Sequence, residues 1–381
     1  MENIYHLMNK DNLLLTFYID IDIFGQEIAK EIKINKDFEY LFCKDSKNYI
    51  YGWSNIDNWI DNRNYAKHKN HLKNMLNQWH INDKIGFINL TKCLSLNDTL
   101  WIKKESDNSN WKDVNLYSNE FSDVVEKISF EKGLKGIKLS TTDPEITSEG
   151  SFKKCWKRKN NKIVLLKGGS EGFFNSGLEP YSEYFASQIS NIICSNSVKY
   201  NLINHKNNIV TECNAFTNEE IGFVPFYKVF NLNKNCYNLN TIINYFIGSK
   251  YENKFREMMV LDSIIINTDR HIGNFGFLIN NNTFEIIDFS PIYDFNQSLL
   301  CYATQDDFDN IYDYMKDLNY GPKLGGDFIL VAKNLKTNSI SNNIRKIINF
   351  NLEYNNAGNF PEWRIKQLND IIKKQCSNIL L

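Results

Sequence analysis

Near the start of the chain apolar and polar positions alternate. Phe17, Ile19, Ile21 and Ile23 stand two apart, with Asp20 and Asp22 between them. That is the period of a strand with one buried face, and strands are predicted in stretches within residues 1 to about 50. The period then lengthens. Trp59, Ile60, Leu72, Met75, Leu76 and Trp79 lie among polar residues over 56–80, and the later ones suit an amphipathic helix. His68 and His71 share an H-x-x-H spacing there. With no third ligand near, a solvated helix face accounts for them better than a metal. In 94–123, Asn97-Asp98 is expected at a turn or cap, and the aromatics from Trp101 to Tyr117 in the core. Strands with Gly-containing turns are predicted over 135–170, a helix over Ser182 to Ile193, and strands again over 198–230. From about 239 the chain turns helical, broken at 263–300. Its end, 340–379, is predicted helical, with Pro361 at a helix start. There is no internal repeat.

Strands, a helix, strands and then mostly helices are the order of an α+β, bilobal protein-kinase-like fold. The expected division is an N-terminal accessory region over 1–130, a β-rich small lobe over 131–216 and a helical large lobe over 217–381. Composition agrees with a packed chain: 42% hydrophobic and 23% charged residues are ordinary for a globular protein and exclude general disorder. Forty-four basic residues against 45 acidic ones give a net charge of −1. Direct nucleic-acid binding is therefore not expected, because neutralising phosphates calls for a basic excess. The eight cysteines are scattered with no C-x-x-C pair, which argues against zinc and for reduced, mostly buried thiols. The first residues lack a signal pattern, and no apolar run of about 18 residues is present to span a membrane. The expectation is a cytoplasmic protein with no membrane partner.

The sharpest chemical signal is Asn267-Thr268-Asp269-Arg270-His271-Ile272-Gly273-Asn274, set between the apolar runs Ile264–Ile266 and Phe275–Ile279. Asp269 and Asn274 are five apart, the interval of a kinase catalytic loop. In such a loop the Asp orients a hydroxyl nucleophile and the Asn holds a metal ion. A second carboxylate follows in Pro291-Ile292-Tyr293-Asp294-Phe295, and a rival stands in Ile286-Ile287-Asp288-Phe289-Ser290. Either Asp would serve as a Mg²⁺ ligand opposite Asn274. Upstream, Ile163-Val164-Leu165-Leu166-Lys167-Gly168-Gly169 reads as an apolar strand ending in a lysine. Such a lysine is costly to bury unless paired. In a kinase it meets the α- and β-phosphates and a helix glutamate. Glu179 and Glu183 are the candidates, and Glu183, further into the helix, is preferred. Thr147 to Phe152 offers small residues for a phosphate-covering turn. Thr211 to Phe216 is the natural place for an adenine-binding hinge.

These residues resemble the HipA-like kinases, which include bacterial toxin kinases and CtkA-type enzymes. The resemblance rests on T-D-R-H-x-x-N at 268–274, P-I-Y-D at 291–294, L-L-K-G-G at 165–169 and E-P-Y-S-E at 179–183. It extends to S-L-N-D-T-L-W at 95–101 with W-K-D-V-N-L-Y at 111–117. Coverage is roughly 90–300, with order and spacing kept. The resemblance implies a protein-kinase-like fold, ATP with Mg²⁺, and a protein Ser or Thr as acceptor. It implies a catalytic Asp269, metal ligands Asn274 and Asp294 in preference to Asp288, and a nucleotide site that includes Lys167, Glu183 and His271. It also implies autophosphorylation near the phosphate-binding loop, with Ser148 and Ser151 as candidates, and an antitoxin-like partner. The loop at 147–151 departs from the toxin members. Two rival readings stand beside this one. A phosphoinositide-type lipid kinase would use D-R-H-x-x-N followed by Ile287-Asp288-Phe289, and ion-pairing of Asp288 would weaken it. A pseudokinase binding module would have lost one of the catalytic residue types, whereas all are present. A small-molecule phosphotransferase is a remoter variant.

Overall fold

The first strand, β1 (Ile4–Asn9), folds back on β2 (Asn12–Ile21), which turns into β3 (Glu27–Ile34). Short helices α1 (Ile56–Asp61) and α2 (Lys84–Thr91) precede β4 (Leu100–Lys104), α3 (Trp111–Val114) and α4 (Val124–Phe130). Strands β5 (Lys154–Lys159) and β6 (Lys162–Gly168) lead to α5 (Glu179–Ile193). Next come β7 (Asn201–His205), β8 (Asn208–Asn214), β9 (Ile221–Pro225), α6 (Phe226–Val229), α7 (Leu239–Phe246) and α8 (Glu252–Ile264). After β10 (Gly276–Asn280) and β11 (Ile286–Phe289) the chain is helical: α9 (Gln305–Asp309), α10 (Ile311–Asp317), α11 (Phe328–Leu335), α12 (Asn338–Ile348) and α13 (Glu362–Leu380). This computed structural model describes residues 4–64, 83–122, 124–130, 144–147, 153–172, 176–230, 232 and 237–381. His68, His71, Ser148 and Ser151 lie outside the described residues. The fold is mixed α and β, as the order of the sequence patterns predicts.

Two compact units emerge. One comprises Met1–Leu165, Thr217–Val224 and Leu278–Ile287. Its main sheet has the order β3-β2-β1-β4, with antiparallel pairing throughout. Tyr5 lies opposite Phe17 and Leu7 opposite Leu15, so the cross-strand pairs on one face are buried. The alternation that identifies β2 runs past its end, however. Ile21 and Ile23 are exposed rather than core. The reason is local: Asp22 Oδ1 accepts from the backbone amides of Phe24 and Gln26 at 2.8 Å, closing a turn where the strand would have continued. A second apolar cluster joins Met8, Leu94, Leu96, Trp101, Trp111, Val114 and Leu116. The Asn97-Asp98 turn is present, with Asp98 Oδ1 accepting from Leu100 N–H and its other oxygen paired to Arg63.

The other unit comprises Leu166–Phe216, Pro225–Phe277 and Asp288–Leu381. Here the end of β6 stands beside β8, and β8 pairs antiparallel with β7. Helix α5 buries Tyr181, Phe185, Ile189 and Ile193 on one face. A phenylalanine core of Phe226, Phe246, Phe255, Phe275, Phe277 and Phe289 fills the space between α6, α7, α8 and the ends of β10 and β11. The rings of Phe246 and Phe255 stack with centroids 4.2 Å apart. Burying six such rings fixes α8, and with it the polar segment 265–275 that follows. Pro361 caps α13 at the predicted helix start. From α13 the buried Arg364 donates to the carbonyls of Leu300, Cys301 and Ala303, holding the segment after Asp294. Among the described residues no helix is long and apolar enough to cross a membrane. The described cysteines are free thiols, mostly buried, with Cys43 exposed.

Candidate active site

Lysine 167 ends an apolar strand, and its side chain stays 13% exposed. Taken by itself, a lysine closing a strand is expected to reach solvent; here it is part-buried and paired. Its Nζ lies 2.5 Å from Glu183 Oε1 and 2.7 Å from Asp294 Oδ1. Burial works against the ammonium charge, but Asp294 and Glu183 together outweigh it and raise the lysine above its ordinary value. Glu183, wholly buried on α5, also accepts from Thr211 Oγ1 at 2.7 Å. Burial pushes its carboxyl above the usual range, against the pull of Lys167. The ring of Tyr200 lies under Nζ at 5.7 Å, and its hydroxyl accepts from the Asp294 amide at 3.2 Å. Glu179, one turn before Glu183, goes elsewhere. It accepts from the Ser170 amide and from the Tyr302 hydroxyl, and it crowds Gly169, where a β-carbon would fall 2.7 Å from its Oε2.

The 267–274 segment is built on Arg270. Its guanidinium is 1% exposed and forks onto Asp262 of α8, with Nε to Oδ2 at 2.8 Å and Nη2 to Oδ1 at 3.1 Å. Its remaining arm, Nη1, donates to the carbonyls of both Asn274 and Tyr293 at 2.6 Å. One cation therefore ties the loop bearing Asn274 to the residue preceding Asp294. Tyr293 adds a second tie, its hydroxyl donating to Gly273 O at 3.1 Å. Asn267 completes the base, donating to Asp262 and accepting from the Asp269 amide. Two residues here stand at positive φ, Ile266 at 53° and Asp294 at 64°. For a β-branched residue that is a strained conformation, of order 1–3 kcal/mol, which the surrounding contacts must hold.

Asn274 Nδ2 donates to the Asp269 carbonyl at 3.1 Å, which leaves its amide oxygen as the donor atom for a ligand. That oxygen and the Asp294 carboxylate are hard donors of the kind Mg²⁺ takes, with phosphate oxygens completing the set. His271 Nδ1 accepts from the Gly273 amide at 3.0 Å. Asp269 Oδ1 is met by Lys323 Nζ at 2.5 Å. Asp288 stands apart on β11: its Oδ2 pairs with Lys254 of α8 at 2.5 Å, and its side chain is 41% exposed. The structure thus brings Lys167, Glu183 and Asp294 into contact, holds Asn274 to Asp269, and leaves Asp288 in a different pair. Sequence reasoning missed Arg270–Asp262, Thr211 as a partner of Glu183, Tyr200 and Lys323. Only Arg270 carried a signal, as a charged residue inside an otherwise buried run.

No family model matches the chain. A curated relative, the serine/threonine-protein kinase CtkA of Helicobacter pylori (strain J99 / ATCC 700824), is 34% identical over 166 residues, which is 39% of this chain and 50% of that protein. The chain thus spans about half the length of the curated relative it matches. A crystal structure of a Helicobacter pylori proinflammatory kinase CtkA covers 61% of this chain and 90% of that one, with 21% identity and a TM-score of 0.47. HipA of Shewanella oneidensis MR-1, solved with HipB and its operator DNA, covers 99% of this chain and 97% of that one at 8% identity, with a TM-score of 0.53. The fold shared with HipA and the stretch of sequence shared with CtkA bear out the resemblance of this chain to the HipA-like serine/threonine kinases.

Proposed function

We propose that this chain is an ATP- and Mg²⁺-dependent serine/threonine protein kinase of the HipA-like type. The observation that carries the reading is the part-buried Lys167, bridged to Glu183 on one side and Asp294 on the other. In this reading Lys167 binds nucleotide phosphates and is kept charged by Glu183. Asp269 orients the acceptor hydroxyl and receives its proton. Asn274 and Asp294 hold Mg²⁺, and His271 lines the nucleotide site. Bound Mg²⁺ would neutralise charge on the phosphate oxygens. The Arg270 bridge between the Asn274 and Tyr293 carbonyls supports this pairing, since it keeps the two ligand-bearing segments together. Residues 1–130 would serve as an accessory region, 131–216 as the small lobe and 217–381 as the large lobe. Location in the cytoplasm, a protein substrate, autophosphorylation at Ser148 or Ser151 and an antitoxin-like partner belong to the same proposal. The HipA structure holding HipB gives the last of these its support.

The lipid-kinase alternative needs Asp288 for metal. The Lys254–Asp288 pair speaks against it. The test is incubation with γ-labelled ATP and Mg²⁺ in the presence of casein and, separately, of phosphoinositide vesicles. Phosphoserine or phosphothreonine after hydrolysis of the protein fraction is the expected product. Label confined to lipid would replace the reading with its rival.

A further inference from the structure

Asp269 has a partner that the catalytic reading leaves unused. Lys323 lies 54 residues further along, and its Nζ sits 2.5 Å from Asp269 Oδ1. The lysine is carried on a supported turn. Gly325 N–H donates to the Pro322 carbonyl at 2.8 Å, and the adjoining Leu324 is buried. Gly325 and Gly326 stand at φ +106° and +89°, and a β-carbon on Gly326 would fall 2.8 Å from Val331 Cγ2. Only glycine meets both demands without strain, so the sequence G-G after Lys323 fixes where the turn can sit. Among the described residues no hydrogen bond is made to Oδ2 of Asp269, which is the oxygen left for an incoming hydroxyl.

Resting on the kinase reading above, we propose that Lys323 serves the transfer step. It holds Oδ1 of Asp269, leaves Oδ2 for the acceptor hydroxyl, and sets its positive charge beside the phosphoryl group in transit. A base reaches its hydroxyl at about 2.6–3.2 Å, and the reacting oxygen and phosphorus close to about 3–3.5 Å. A cation bonded to that base therefore stands within a lysine's swing of the phosphoryl oxygens, where charge must be stabilised. In the step itself the acceptor oxygen bonds the γ-phosphorus, and the bond from that phosphorus to the β–γ bridging oxygen breaks. The hydroxyl proton goes to Asp269 Oδ2, and ADP leaves with the electron pair. Lys323 keeps its proton throughout. Its side chain is 47% exposed, so the pair adds little to stability and its removal should leave the fold intact.

The experiment compares wild type, Lys323→Met, Lys323→Arg and Asp269→Asn for label transfer from γ-labelled ATP to casein and to the chain itself, with thermal unfolding alongside. Lys323→Met should lose about 10²-fold in kcat with the KM for ATP unchanged, and Lys323→Arg should recover most of the loss. A merely structural lysine would not give that split. Transfer by Lys323→Met at the wild-type rate overturns the inference. A faster rate overturns it too, and makes the pair an inhibitory latch on Asp269. Those two results leave the kinase reading standing, whereas a wild type that transfers no more than Asp269→Asn removes both.

Discussion

Replacing Arg270 by Met tests whether one buried cation holds the site together. The substitution keeps most of the volume and removes the charge. It breaks two bonds to Asp262 and two to the carbonyls of Asn274 and Tyr293. Asp262, 2% exposed, would keep only its bond from Asn267 among these partners. Breaking a buried ion pair from one side costs about 3–5 kcal/mol, because the remaining charge has no compensation. For a domain of this size each kcal/mol lowers Tm by roughly 2–4 °C, so a fall of about 10 °C is expected. Urea unfolding followed by far-UV circular dichroism and by tryptophan fluorescence reads the change directly. The double variant Arg270→Met with Asp262→Leu should regain about 2 kcal/mol, since both charges are then gone. A single variant that loses less than about 1 kcal/mol, the level of an exposed pair, would refute the argument.

Three further outcomes follow from the same geometry. Asp294→Asn should weaken Mg²⁺-dependent ATP binding in calorimetry, while Asp288→Asn should leave it as it was; the reverse result would move the metal to Asp288. Lys167→Met should make the protein more stable at pH 5 than at pH 8, relative to wild type. Burial raises the folded-state value of Glu183, so its contribution is full below the unfolded carboxyl value and is lost as pH rises through the folded one. Equal pH dependence of the two proteins in thermal scans would contradict that sign. Iodoacetamide at pH 8 should label the exposed Cys43 while sparing Cys93 and Cys376, whose thiols burial pushes up to about 12. Early alkylation of either by peptide mass spectrometry would show that the core opens.

Local spacing made part of this site readable. Asp269 and Asn274 share one loop, so their interval survives in the sequence, and the apolar runs on either side mark the loop as enclosed. Lys167 was visible as a charge closing an apolar strand. Its destination was not, because the partners come from 16 and 127 residues away. Glu179 and Glu183 are one helical turn apart and both buried, so periodicity could not divide their roles; contact with Lys167 does. Thr211, expected at the start of a hinge, lies inside β8 and accounts for itself as a partner of Glu183, and Tyr200, just before β7, carries no local mark of its bond with the Asp294 amide. Lys323 shows the same limit. Gly-Pro-Lys-Leu-Gly-Gly announces a turn, but nothing local points it at Asp269. At the N-terminus the alternation found β2 and overran it, because Asp22 bonds the backbone beyond and ends the strand.

Phosphoryl transfer at Asp269 is read out by intact-protein mass. Wild type and Asp269→Asn are each incubated with ATP, Mg²⁺ and casein, and the mass of every protein is measured before and after. Added phosphate, one or more increments of about 80 Da, is expected with the wild type and none with Asp269→Asn, although both bind ATP. Equal phosphate with both proteins, or none with either together with no ATP binding, would contradict transfer at Asp269.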